Sequence, residues 1–192
     1  FDEVESEVRQ FIRTPLADLA DSREPQLLAG IVSDLRVING QRGKLCLFKL
    51  DDKSATLEAS VDEATLAAAK DVLKDDEFVV LQGKVQHDHF SGGLRIKATQ
   101  VWSLADARSR LARYWQVQAP AHIDLAPLEV GQDGSTLARG LRLRIVVQCQ
   151  GADGQAEVEL DFGPEHVFYP SDAALADWRS VVGSSACQVV WR

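Results

Sequence analysis

Methionine is absent from all 192 residues, and the chain begins at Phe1, so a fragment or a processed product is expected. Cysteine is sparse. Cys46, Cys149 and Cys187 are odd in number, far apart and each set in an apolar, strand-like segment. That pattern favours buried free thiols over a disulfide frame or a zinc site. No run approaches roughly eighteen apolar residues, the length a membrane helix needs. The opening FDEVESEVRQ carries acids where a secretory leader would carry a basic stretch before an apolar one. Neither a membrane segment nor a leader is predicted, and a cytoplasmic location is expected. Positive charge is in the minority: 21 Lys and Arg against 29 Asp and Glu give a net charge of −8. This argues against non-specific polyanion binding by the chain as a whole. Also missing are a G-x-x-x-x-G-K-[ST] phosphate loop, a G-x-S-x-G nucleophile elbow and a nucleotide-binding glycine fingerprint. No enzyme and no cofactor are predicted for this stretch of chain.

What is present is the composition of a folded globular chain, with 45% hydrophobic and 26% charged residues. Charge is unevenly placed. From Arg36 to Lys49 there are Arg36, Arg42, Lys44 and Lys49 and no acid, whereas Asp62 to Glu77 holds Asp62, Glu63, Asp71, Asp75, Asp76 and Glu77. One side of the first half is therefore expected to be basic.

Val4, Val8 and Phe11 stand at helical spacing, which predicts a short entry helix followed by a Pro-bounded connection reaching Pro25. Leu27 to Val37 reads as a strand, and Asn39 to Gly43 as a loop with strong turn chemistry. Lys44 to Leu50 predicts a mostly buried strand, and Thr56 to Val61 a third strand with Leu57, Ala59 and Val61 inward and Thr56, Glu58 and Ser60 outward. Asp62-Glu63 precedes a helical stripe over Ala64 to Leu73. Phe78 to Val85 and Leu94 to Trp102 then form two further strands across a turn at 87–93, the second pointing Arg95, Lys97 and Thr99 outward. Three strands, a helix and a two-strand hairpin are the order of a five-stranded OB barrel.

Beyond it, Leu104, Ala107, Leu111 and Tyr114 make a stripe that predicts a linker helix over 104–118. Leu141 to Gln150 and Ala156 to Phe162 read as a hairpin around 151–154. Ser171 is a good N-cap for a helix stopping at Gly183, and Cys187 to Trp191 is a short final strand. The expected organisation is an entry segment (1–26), an OB-fold domain (27–103), a linker helix (104–118) and a small α+β domain (119–192), mainly β with α.

In OB folds the loops between strands one and two and between strands four and five flank the usual nucleic-acid groove. Arg36, Arg42, Lys44, Lys49, Arg95 and Lys97 could neutralise phosphates there, and Phe90 could stack on a base. The bland alternative is that loop charges are solvated and Phe90 seals the barrel end. His87 and His89 supply too few ligands for a metal, so none is expected. The acid pairs Asp51-Asp52 and Asp75-Asp76 read as turn residues, not as a two-metal centre. In the second domain, Phe168, Tyr169, Trp178 and Trp191 are candidate partner anchors, with core packing as the alternative use.

Two long segments, LAGIVSDLRVINGQRGKLCLFKLDDKSATLEASV and VVLQGKVQHDHFSGGLRIKATQVWSLADARSRLAR, resemble the OB region of the bacterial DNA polymerase III alpha subunit family. FDEVESEVRQFI is similar to the helix preceding that region, and YPSD with its following helix and strand looks like the family's C-terminal domain. The resemblance implies a non-catalytic C-terminal region of a replicative nucleotidyltransferase, whose polymerase core, phosphatase-like domain and clamp-binding motif lie upstream of the matched part. It further implies that the OB module contacts single-stranded template DNA and that the last domain docks the tau subunit of the clamp loader in the replisome. Ala119 to Gly140 and the terminal CQVVWR depart from the family pattern. Two other readings are an anticodon-binding OB extension of an aminoacyl-tRNA synthetase and a purely structural OB module.

Overall fold

The computed structural model describes residues 2–40, 43–88, 92–120, 140–151, 154–163 and 167–192. It divides between Leu104 and Ala105 into two units.

The first unit opens with α1 (Asp2–Val8), which buries Val8, and a single 3-10 turn at Leu16–Asp18. Asp52 fixes this entry segment. Its carboxylate accepts from the Leu16 backbone N–H at 2.8 Å and also from the N–H groups of Ser54 and Ala55 in its own turn. Strand β1 (Ser22–Gly40) starts earlier than the alternation predicts and runs through Pro25. Its pairing with β4 (Phe78–His87) shifts register between Ser22 and Gln26, and a residue without an N–H is tolerated at such a break. In β2 (Gly43–Asp51), Cys46, Phe48 and Leu50 are buried while Leu45 and Leu47 are half-buried, so this strand has one wet face where a mostly buried one was expected.

Strand β3 (Thr56–Asp62) runs directly into α2 (Glu63–Ala68). Asp62 caps that helix by accepting from the Thr65 N–H at 2.8 Å. The helix is shorter than the stripe over 64–73 predicts, although Ala69 and Leu73 still reach the core. Strands β4 and β5 (Leu94–Trp102) form the expected antiparallel pair. A parallel pairing of β3 with β5 closes the barrel in the order β1-β2-β3-β5-β4, with Leu28, Val32, Phe48, Leu50, Val79 and Ile96 among its interior residues. The fold is an OB barrel, as its element order predicts.

In the second unit, α3 (Leu104–Leu111) is followed without a break by β6 (Ala112–Pro120). This corrects the linker helix expected over 104–118, because Trp115, Val117 and Ala119 are buried at a two-residue period with Gln116 and Gln118 between them. Strands β7 (Leu141–Gly151) and β8 (Gly154–Asp161) form the expected hairpin, β9 (Val167–Phe168) pairs with the start of β7, and β10 (Cys187–Trp191) pairs with β6. The main sheet runs β10-β6-β7-β8, with β6 and β7 parallel. Helix α4 (Asp172–Val182) packs Leu175 and Trp178 into a core with Trp115, Leu141 and Ile145. It is N-capped by Ser171, whose hydroxyl accepts from the Ala174 N–H at 3.2 Å, and it ends at Gly183, whose φ of 94° suits a residue without Cβ. This unit is α+β.

The three cysteines are free thiols, with Cys46 and Cys187 buried and Cys149 half-buried. Burial pushes the Cys187 thiol up to about 11, against the opposing charge of Arg179, and raises Cys46 as well. A disulfide reagent applied to the native protein near pH 8 is therefore expected to modify Cys149 first, with Cys46 and Cys187 reacting at rates that follow unfolding. Mass mapping of the labelled peptides over time checks this; prompt labelling of Cys187 would contradict it.

Candidate nucleic-acid interface

Alternation along β2, β3 and β5 turns Leu45, Leu47 and Lys49, Glu58, and Arg95, Lys97 and Thr99 to the outer wall of the barrel. The closing contact between β3 and β5 then sets Glu58 opposite Arg95 and Ser60 opposite Lys97. Ser60, expected on the solvent side, is 8% exposed and its hydroxyl donates to the Ile96 carbonyl at 3.4 Å. Parallel strands joined at a barrel seam cover a small side chain that would stand free on an open sheet.

Three of the cations picked out from the sequence have acidic neighbours. Lys49 Nζ is 2.6 Å from Asp34 Oδ2, and its hydrogen bond and charge hold the Asp34 carboxyl below the usual range. Asp34 reaches it from a break in β1, where register shifts between Ser33 and Arg36 and Asp34 adopts φ 54°. Arg95 sits 2.7 Å from Glu58 Oε1 and 3.3 Å from Asp88 Oδ2, while Arg36 approaches the other Glu58 oxygen at 4.0 Å. These side chains keep 32% or more of their surface in water except Asp88, which is 8% exposed. Exposed pairs such as Lys49–Asp34 and Arg36–Glu58 contribute little to stability, so a phosphate can take the place of their carboxylates. Lys44 and Lys97 are exposed. Arg42 and Phe90, the two expected residues in the flanking loops, lie outside the described residues. Missed by the sequence reading was Lys84, which the β4–β5 register sets directly opposite Lys97. Val37 and Ile38 are exposed, at 49% and 43%, at the end of β1 beside these charges.

The acid pairs shape turns. Asp51 accepts from Thr56 Oγ1 at 2.6 Å and from the Lys53 N–H at 2.7 Å, which keeps its carboxyl below the ordinary range. Asp75 accepts from the Leu35 N–H at 3.0 Å. Among the described residues, no three His, Cys, Asp or Glu side chains gather as a metal site would need, and no helix is long and apolar enough to cross a membrane. His89 lies outside the described residues.

For the four aromatic anchors of the second unit, the structure separates two from two. Phe168 and Trp178 are 3% and 5% exposed, their ring centroids 6.4 Å apart in the core, so as partner anchors they are withdrawn. Their place on the inner side of β9 and α4 requires it. Tyr169 is 39% exposed and its hydroxyl donates to Asp106 Oδ1 at 3.4 Å; Trp191 is half-buried at the end of β10.

Residues 27–104 match a family described as an OB-fold nucleic acid binding domain. The DNA polymerase III subunit alpha of Pseudomonas aeruginosa is 42% identical over 125 residues, which is 65% of this chain and 10% of that protein. Subunits of the same name from Pseudomonas fluorescens and from Neisseria meningitidis serogroup B are each 33% identical, over 183 and 191 residues, covering 95% and 96% of this chain and 15% and 16% of theirs. Among solved structures, a small single-stranded DNA-binding protein from Streptomyces coelicolor aligns with 44% of this chain and 95% of its own at 13% identity and a TM-score of 0.36. The chain thus spans between 10% and 16% of the length of these curated relatives. The resemblance carried by the two long barrel segments extends over nearly every residue, and the chain belongs to the DNA polymerase III alpha-subunit family.

Proposed function

We propose that this chain is a non-catalytic region of a cytoplasmic replicative polymerase, in which the barrel contacts single-stranded template DNA and the second unit docks the clamp-loader tau subunit. The observation that carries the reading is the coincidence, over residues 27–104, of a closed OB barrel with a cationic outer wall inside a chain of alpha-subunit descent. A single strand would lie along the β2–β3–β5 wall, its phosphates displacing Glu58 and Asp34 from Arg36, Arg95 and Lys49. The half-buried Leu45 and Leu47 and the exposed Val37 and Ile38 offer apolar surface to bases. With few aromatics on that wall, the contact draws mainly on phosphates, and its affinity falls steeply with salt. Tyr169 and Trp191 remain as the aromatic surface for a protein partner.

Fluorescence anisotropy of labelled single-stranded DNA, titrated with wild type and with the Arg42→Glu/Lys44→Glu variant over a salt series, tests the first half. Salt-sensitive binding that the double charge reversal abolishes is the expected result. No binding at low salt by a folded protein would leave protein docking as the better account. Co-sedimentation with the tau subunit tests the second half.

A further inference from the structure

The outer wall of the barrel carries one row of register-matched positions that contains no acid. From strand to strand, Arg36 lies opposite Leu47, Leu47 opposite Ser60, Ser60 opposite Lys97, and Lys97 opposite Lys84. The neighbouring row runs Lys49, Glu58, Arg95, Gln86, and its cations are closed off by Asp34, Glu58 and Asp88. In a chain of net charge −8, the first row is a local opening of positive potential.

Its two lysines are exposed and face each other directly across an antiparallel pair, an arrangement in which like charges cost stability. Neither forms an ion pair with a carboxylate of the described residues, and Asp62 feels the Lys97 charge as the least of the influences on it. The position next to Lys84 also admits only glycine. Register shifts between Gln82 and Gly83, and a Cβ at Gly83 would stand 2.7 Å from the Lys97 carbonyl oxygen. A glycine at a bulge therefore stands beside Lys84 and against the Lys97 backbone, and bulges commonly serve to re-aim a side chain. A repulsive pair kept at some cost, beside a row in which Lys49 and Arg95 are paired with carboxylates, has the form of an anion site rather than of a stabilising contact.

We infer that Lys84 and Lys97 form the phosphate track of the first unit, so that a single-stranded DNA backbone crosses the wall over β3, β5 and β4. The inference rests on the nucleic-acid reading above and adds β4 to the contact. Three strands spaced by about 4.8 Å give the track a length of roughly 10 Å, room for one or two phosphates.

The test is the affinity of the whole chain for a labelled oligothymidylate across a salt series, comparing wild type, Lys84→Gln/Lys97→Gln and Lys70→Gln/Lys74→Gln. The last variant makes the same change in net charge away from the row. With about 0.7 counterions released per phosphate contact on a single strand, the row variant is expected to bind about tenfold or more weakly and to lose roughly 1.4 from its salt slope. The control is expected to bind as wild type. Thermal unfolding of the row variant should match or exceed wild type, because removing both charges removes their repulsion. If wild type binds and the row variant binds equally well, or the control weakens as much, the track is overturned while the nucleic-acid reading stands. If wild type itself does not bind, that reading fails and the track with it.

Discussion

Replacing Trp115 by alanine is expected to destabilise the second unit by about 4 kcal/mol. The residue is 0% exposed in the centre of β6, opposite Leu143 on one side and Val189 on the other, with the Arg179 guanidinium 5.4 Å from its ring centroid. No neighbour can fill the space of an indole, so the lost transfer free energy adds to the cavity left behind. Native stabilities of about 5 to 15 kcal/mol leave little after such a loss. Trp115→Phe should cost much less, because the indole N–H finds no hydrogen-bond acceptor among the described residues and phenylalanine removes that unsatisfied donor along with part of the ring. Urea denaturation followed by circular dichroism distinguishes the two. A Phe variant as unstable as the Ala variant would show that the ring's full width, rather than burial of apolar surface, holds the sheet.

The second large effect is expected at Arg108, a buried cation 3% exposed on α3. Its Nη1 donates to the Pro170 carbonyl at 3.0 Å and to Asp172 Oδ1 at 2.7 Å, tying α3 to the first turn of α4. Arg108→Ala leaves the carbonyl short of its donor and removes the packing of the side-chain stem, a loss of about 3 kcal/mol. Asp172 is different, since its side chain is 80% exposed and keeps its water. Asp172→Asn, which retains an acceptor oxygen, should cost less than about half as much. Equal losses for the two variants in urea unfolding would mean that charge pairing, and not hydrogen bonding to Pro170, dominates.

The sequence-based helix over 104–118 failed for a reason that is local. Leu104, Ala107, Leu111 and Tyr114 keep a helical period that continues past the true end at Leu111, and Trp115, Val117 and Ala119 were the competing two-residue signal. In a central strand that pairs with β10 and β7, tertiary burial decides between the two periods. Phe168 and Trp178 illustrate the same limit. An aromatic beside Pro170 and one on an amphipathic helix are equally suited to a partner or to a core, and only the β9–β7 pairing shows which use they have.

The sequence by itself determined the order of barrel strands, the capped helix from Ser171 to Gly183 and the family, because period, turn chemistry and long ordered motifs are properties of neighbouring residues. Tertiary structure alone decided the electrostatics of the wall. Asp34, Glu58, Asp88 and Lys84 meet Lys49, Arg95 and Lys97 through a bulge, a parallel seam and a hairpin register, which bring together residues up to some tens of positions apart. Charge at a site is a sum over such neighbours, and it falls off with distance in space rather than along the chain.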